Sequence, residues 1–416
     1  MHCLLIHQVF VGPEDVGGSR HYELGCLLAE RGHRFTVVTS TRDYITGRRR
    51  AEGFAVRPNV PAGAIRVVQA WTPGIIHRSF VLRVLAFLAF MLTSVWKGLK
   101  AREIDLVMGT SPPIFQSVSA WLVAAIRRRP FLLEVRDLWP EFAIDMGVLR
   151  SALLIKASRW LEAFLYGRAD HILVNSPAYR DYLLSKGIPE KKVSVVPNGV
   201  DPTEFDPLAD GSDLRRELGI PAGQFVATYC GALGMANDIP TVLRAAARLK
   251  ETDPGIRILL VGDGKERPNL EAMARRDQLD NVQIVGAVPK KRVPEVLAAS
   301  NVCIASLMNI RMFRTTYPNK VFDYMAAGRP VVLGIDGVIR DVVDAAKAGV
   351  FVPPGDDEAL ARAVAGLAAD PEGAAAMGRR GREHVITHFD RRSQSVAFAE
   401  VLLGVVERGV GHASRP

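Results

Sequence analysis

Cysteine is scarce in this chain of 416 residues, and what there is falls at Cys3, Cys26, Cys230 and Cys303 with no Cys-x-x-Cys spacing. That pattern excludes a disulfide framework and a zinc ribbon, and reads as small apolar side chains in a reducing compartment. Asp-x-Asp, His-Glu-x-x-His and close clusters of metal ligands are missing as well, so neither a metal nor another cofactor is expected. Long hydrophobic runs are absent too. The longest, Val84–Trp96, has 13 residues and includes Thr93 and Ser94, whereas a spanning helix needs about 20. Met1 to His7 carry no basic leader, which predicts a first strand in place of a signal peptide, and a cytoplasmic protein. Aromatics make up 7% of the chain, and none interleaves the arginine runs Arg48–Arg50 and Arg127–Arg129. Single-stranded nucleic acid would need such interleaving, so no nucleic-acid partner is expected.

Apolar residues, at 48%, are plentiful, and the length suits two domains of about 200 residues each. Charge is uneven. Residues 1–200 hold 26 lysines and arginines against 16 acids, and the remainder 27 against 28, so the net +9 belongs to the first half. Such a surface suits anionic lipid, or is simply a solvated exterior rich in arginine.

Short β runs alternate with helical stretches throughout. Strands are expected at Leu4–His7, Phe35–Thr39, Asp105–Met108, Phe131–Val135, His171–Val174 and Val193–Val196. In the second half they are expected at Val226–Tyr229, Ile256–Val261, Val282–Ile284, Val302–Ala305, Pro330–Leu333 and Val350–Val352. Helices such as Arg20–Arg31, closed by Gly32, and Thr241–Lys250 fall between them. This rhythm predicts an α/β chain of two Rossmann-like, doubly wound domains facing across a cleft, with ligands at the strand C-termini. The expected division is 1–200, 201–390, and a helical tail 391–416 returning to the first domain. Residues 75–100 stand apart: Phe80, Leu82, Val84, Leu85, Phe87, Leu88, Phe90, Met91, Leu92 and Trp96 make them greasy nearly all round, and Arg78, Arg83, Lys97 and Lys100 flank them. They read either as a buried crossover helix or as an interfacial helix making a peripheral membrane contact.

Four phrases stand out, three for their chemistry and one for the fold. Gly17-Gly18-Ser19-Arg20 follows the first strand, where small residues let backbone approach a phosphate at a helix N-terminus. Glu134-Val135-Arg136-Asp137-Leu138-Trp139-Pro140-Glu141 ends a strand in charge, placing Arg136, Asp137 and Glu141 to meet a sugar or acceptor. Pro197-Asn198-Gly199-Val200 is a turn at the domain boundary. Tyr317-Pro318-Asn319-Lys320-Val321-Phe322-Asp323, running on to Gly328, opens a helix whose N-terminus and Lys320 suit a diphosphate, with Asp323 one turn on along the same face.

Taken together, these phrases resemble the retaining glycosyltransferases of family 4, within the two-domain GT-B fold, over roughly Met1 to His388. The resemblance is nearest to bacterial transferases of O-antigen or capsule synthesis, the fucosaminyltransferase-like branch in particular. It implies a UDP-linked sugar donor, a polyprenyl-diphosphate-linked acceptor, and retention without a metal. It assigns Arg136, Asp137 and Glu141 to catalysis, and Gly17, Gly18, Gly231, Leu233, Arg314, Thr316, Lys320 and Asp323 to the donor. Three positions depart from the family pattern. Arg136 stands where many relatives have histidine. Thr315 replaces the first glutamate of the Glu-x7-Glu motif, so sugar contact would fall to Thr316, Arg314 or backbone N–H groups. The loop Gly231-Ala232-Leu233-Gly234-Met235-Ala236-Asn237 lacks both cations that hold the phosphates in relatives, so Lys320, Arg311 or Arg314 would have to supply the charge. A catalytically degenerate scaffold is the competing reading. An NAD-dependent dehydrogenase is disfavoured because Arg267 falls where Gly262-x-Gly264 would need its third glycine.

Overall fold

A computed structural model describes residues 1–10, 12, 19–42, 49, 60–73 and 80–413. The chain divides into two compact units, Met1–Pro197 with Arg392–Pro416, and Asn198–Arg391.

The first unit is built on a seven-stranded sheet: β1 (His2–Ile6), β2 (Arg34–Ser40), β3 (Ile65–Ala70), β4 (Leu106–Ser111), β5 (Phe131–Val135), β6 (His171–Val174) and β7 (Val193–Val195). Every pairing is parallel, and the order is β3-β2-β1-β4-β5-β6-β7. The second unit repeats the plan with β8 (Phe225–Cys230), β9 (Ile256–Val261), β10 (Val282–Val285), β11 (Val302–Ser306), β12 (Val331–Gly334) and β13 (Gly349–Phe351). Its order is β10-β9-β8-β11-β12-β13, again parallel. Central strands such as β1, β4, β5 and β11 are buried along their whole length, as a sheet covered by helices on both faces demands. In each sheet the winding reverses once, between β1 and β4 and between β8 and β11. Beyond the C-terminal ends of those strands a doubly wound sheet opens its ligand crevice.

The strand β3 was not among the sequence expectations. It lies at the sheet edge and is mostly half-buried, with Arg66 and Gln69 interrupting its apolar residues. In the other direction, the Arg391–Ala413 helix sends Phe398, Ala399, Leu402 and Val405 into the core that holds Cys3, Leu5, Phe35 and Val37.

Of residues 75–100, the first five lie outside the described residues, and the rest form the Phe80–Lys100 helix with one buried and one exposed face. Ala86, Phe90, Ser94 and Gly98, spaced four apart, are buried. At Gly98 any Cβ would come within 3.0 Å of Val123, so glycine allows the close seat against the Phe115–Arg127 helix. Leu85, Leu88, Leu92 and Trp96 occupy the opposite face and are exposed. Among the described residues no helix is long and apolar enough to cross a membrane.

Candidate functional site

In the second unit the crevice beyond β8 and β11 is floored by two interlocked loops. Gly231 N–H donates to Val261 O (2.9 Å), Leu233 N–H to Asp263 O (2.9 Å), and Glu266 N–H back to Leu233 O (3.1 Å). The loops approach so closely that a Cβ on Gly262 would sit 1.8 Å from Gly231 O. The side chain of Leu233 is fully buried, and its N–H and C=O hold the neighbouring loop. The N–H groups of Ala232, Gly234 and Met235 are not spent in this way among the described residues.

Lys320, on the first turn of the Asn319–Ala326 helix, reaches this floor. Its Nζ donates to Tyr229 Oη (2.6 Å) and Asn237 Oδ1 (2.9 Å) and lies 4.1 Å from the centre of the Tyr229 ring. Tyr229 in turn donates to Ala232 O (2.8 Å). The amine thus rests against the loop that lacks its own cations. Both partners, Tyr229 and Asn237, are neutral, and burial brings the Lys320 pKa down to about 7. Asp323 follows on the same helix, partly covered, its pKa pushed up to about 6 chiefly by burial. Among the described residues no ion pair joins it to Lys320.

The other expected donor contacts are differently engaged. Arg314 lies 3.8 Å from Asp336 and is half exposed. Thr316 and Thr315 turn their hydroxyls onto Phe313 O (3.0 Å) and Met312 O (2.6 Å) in their own turn. Asn198, to which the sequence reading gave no chemistry, donates to Asn319 Oδ1 (2.9 Å) and so braces the helix start.

In the first unit, Gly17 and Gly18 lie outside the described residues. Next to them, Arg20 and His21 open the Arg20–Glu30 helix and meet Glu134 at the core of the sheet. Glu134 accepts from Arg20 Nε (2.9 Å), His21 Nε2 (2.6 Å) and Thr110 Oγ1 (2.8 Å), with its side chain wholly buried. Burial alone would raise its pKa. His21, Arg20 and Arg136 outweigh that and hold it well below the ordinary carboxylate range. Burial lowers His21, which suits a neutral ring donating through Nε2. Arg20 also donates to Pro197 O (2.7 Å) and Val196 O (2.8 Å) and lies 4.7 Å from the Phe398 ring centre. One guanidinium thereby joins β5, the last residues of the first segment and the returning helix.

At the mouth of this network Arg136 contacts Ser111 O (3.3 Å) and His7 Nε2 (3.4 Å), and stands 3.9 Å from Glu134. Beside it, Asp137 is partly covered, its pKa raised to about 6 by burial despite Arg136. Arg136 and Asp137 are therefore together, as the strand-end phrase implies, and His7 joins them from the end of β1. Glu141 is not with them. The Glu141–Asp145 helix turns it to Arg159, which donates from Nε (2.8 Å) and Nη2 (3.1 Å), so its carboxylate is occupied by a bidentate pair.

Comparison with known proteins matches residues 17–199 to the glycosyl transferase 4-like domain and residues 210–384 to the glycosyl transferases group 1 family. A D-inositol 3-phosphate glycosyltransferase of Kribbella flavida is 30% identical over 228 residues, covering 52% of each chain. The match thus spans about half of that relative's length. WcaI of Escherichia coli K12, whose name places it in colanic acid biosynthesis as a glycosyl transferase, is 23% identical over 79% of this chain and 82% of its own. Among solved structures, sucrose-phosphate synthase of Thermosynechococcus elongatus superposes with a TM-score of 0.78 at 22% identity, over 99% of this chain and 100% of that one. HepE of Anabaena, solved in complex with UDP-glucose, gives 0.72 at 20% identity, over 97% and 100%.

Proposed function

Since a chain with these two domains in this order belongs to the two-domain glycosyltransferases of the GT-B fold, we propose that it moves a hexose or acetamido sugar from a UDP-linked donor to an acceptor alcohol. The acceptor is a lipid-linked glycan of bacterial surface polysaccharide, carried on polyprenyl diphosphate. The relation to WcaI and the UDP-glucose bound in HepE support these finer assignments.

The observation that carries the reading is Lys320. A lysine held among neutral partners, at the reversal of a doubly wound sheet and beside a helix start, is a cation awaiting an anion. The diphosphate of the donor fits this requirement, and Asp323 one turn further on accepts from ribose hydroxyls. In the first unit Arg136 suits the acceptor's diphosphate, because a guanidinium stays charged and grips oxyanions by two bonds.

Transfer proceeds with retention. The bond between the anomeric carbon and the diphosphate oxygen breaks, and its electrons leave with the diphosphate. The acceptor oxygen bonds the same face of that carbon, and its proton passes to the departing phosphate oxygen. No strong protein base is then required. Lys320 and the loop N–H groups stabilise the charge that grows on the leaving group.

A thermal-shift screen of nucleoside diphosphates tests the reading. UDP should raise the melting temperature by mass action, and Lys320→Ala should weaken it by about 10- to 100-fold, the worth of a charged hydrogen bond or two. A chain that binds UDP yet never releases it from any UDP-sugar, with or without acceptor, is a scaffold and not a transferase.

A further inference from the structure

The second unit holds a cavity at the end of its sheet away from Lys320. Phe225 opens β8, Asn301 precedes β11 and Pro330 precedes β12, so the cavity lies beyond the N-terminal ends of these strands. Its volume is about 470 Å³, room for a small organic molecule. The Pro371–His388 helix forms one side. Along it Pro371, Ala375, Arg379, Arg382 and Ile386 fall three or four residues apart and make a single stripe on the lining. Gly378 lets that helix press close, since a Cβ there would lie 1.9 Å from Gly328 O. Leu208, Phe225 and Pro330 complete the apolar part of the lining.

Charge on this lining is unbalanced. Among the described residues it holds three guanidiniums, Arg329, Arg379 and Arg382, against one carboxylate, Glu383. Arg329 Nη2 donates to Ala209 O (3.0 Å) and Ala298 O (3.0 Å), while its Nε is buried and meets no acceptor. Arg382 donates to Ala326 O and to Pro202 O (3.1 Å). These acceptors are neutral carbonyls. The acids of the adjoining loop do not compensate, because Asp206 and Asp210 accept from the backbone N–H groups of Leu208 (2.9 Å) and Ser212 (3.0 Å). Burial lowers the pKa of both Arg329 and Arg382, yet a guanidinium stays charged at neutral pH. A phosphate monoester carries close to two negative charges there, which matches the excess. Its oxygens also suit the paired donors of arginine, whereas a carboxylate brings a single charge.

We propose that this cavity is an anion site separate from the crevice of Lys320, and that it binds a phosphate monoester with a small apolar body. The phosphate oxygens meet Arg329 Nε, Arg379 and Arg382. The apolar body lies against Phe225, Pro330 and Ile386. The site is independent of the transfer chemistry, so either can fail without the other.

Calorimetric titration of the full chain with phenyl phosphate tests it. Inorganic phosphate and glucose 1-phosphate, which share the charge but lack the apolar body, should bind at least about tenfold more weakly. Arg379→Glu should weaken phenyl phosphate by about tenfold or more, and Ile386→Ser by about threefold. Both side chains are exposed, so the fold should survive their replacement. Glu383→Gln removes the opposing carboxylate and should tighten binding by about threefold. Saturating UDP and Lys320→Ala should each leave the affinity within about twofold, because distant sites are independent. The proposal is overturned if phenyl phosphate fails to bind at millimolar concentration, or if Arg379→Glu and Glu383→Gln both leave its affinity unchanged. It is equally overturned if inorganic phosphate binds as tightly, or if UDP displaces phenyl phosphate, which would put the anion in the crevice of Lys320.

Discussion

At the scale of single residues, the candidate site was legible where its residues are local in sequence. Lys320 and Asp323 sit three apart on one helix, and their phrase could be read directly. His7, Arg20 and His21 could not, because they reach Glu134 or Arg136 across more than a hundred residues and only the sheet order brings them together. The pairing of Glu141 was hidden for a related reason. A carboxylate shortly after a strand normally faces the crevice, but here a short helix intervenes and Arg159, 18 residues on, takes both oxygens. Lys320 also sets a pH dependence. Its pKa of about 7 lies below the ordinary 10.5, so above neutrality the unoccupied lysine is mostly uncharged. Binding a diphosphate favours the charged form and takes up a proton. Affinity for a UDP-sugar, whose phosphates carry no titrating proton in this range, should be highest below pH 7 and fall by up to about tenfold per unit above it. Stability runs the other way. Between pH 7 and 10.5 the unfolded chain binds more protons, so this group's contribution to folding improves as pH rises. Calorimetry in buffers of different ionisation enthalpy measures the uptake. A flat profile for the wild-type chain would remove Lys320 from the diphosphate.

At the scale of elements, strands buried on both faces were easy to read because they are nearly continuous apolar runs. Phe131–Val135, His171–Val174 and Ile256–Val261 agree to the residue. The edge strand Ile65–Ala70 was lost because half-burial lets polar residues into it, and its pattern then resembles a loop. The interlocked loops of the second unit show what composition hides. Gly231-Ala232-Leu233 looks like a phosphate loop stripped of its cations, yet much of its backbone is committed to the neighbouring Gly262–Gly264 turn. Gly262→Ala should therefore do more than stiffen a turn. Its methyl would meet Gly231 O at 1.8 Å, forcing the loops apart at a cost of about 1–3 kcal/mol. Because Lys320 rests on this floor, donor affinity should fall along with thermal stability. Chemical denaturation and donor titration of the same preparation check both, and a variant that loses neither would show that the loops tolerate separation.

At the scale of the whole molecule, the first unit is not one consecutive stretch of chain. The polypeptide leaves the first at Pro197 and re-enters it at Arg392, and the second unit closes on itself where Val200 N–H donates to Phe389 O and Val200 O accepts from Arg391 N–H. Gly199 lies in that contact, where a Cβ would fall 2.5 Å from Arg391 Cα. A chain ended after Arg391 should keep the second unit and lose the first. It forfeits Phe398, Leu402 and Val405 from the core, each worth about 2–5 kcal/mol, against a total stability of about 5–15 kcal/mol. Limited proteolysis of the shortened chain should leave a resistant fragment near residues 198–391, and a resistant fragment from the first unit would contradict the assignment.

The same return of the chain orders events at the ribosome. Translation delivers the strands of the first unit first, but the helix that seals them emerges some two hundred residues later. The later-made unit, whose residues are contiguous, can fold as soon as it clears the exit tunnel. The earlier one must wait with part of its interior unsealed, so nascent-chain quality control has its longest hold on the half of the protein that was synthesised first.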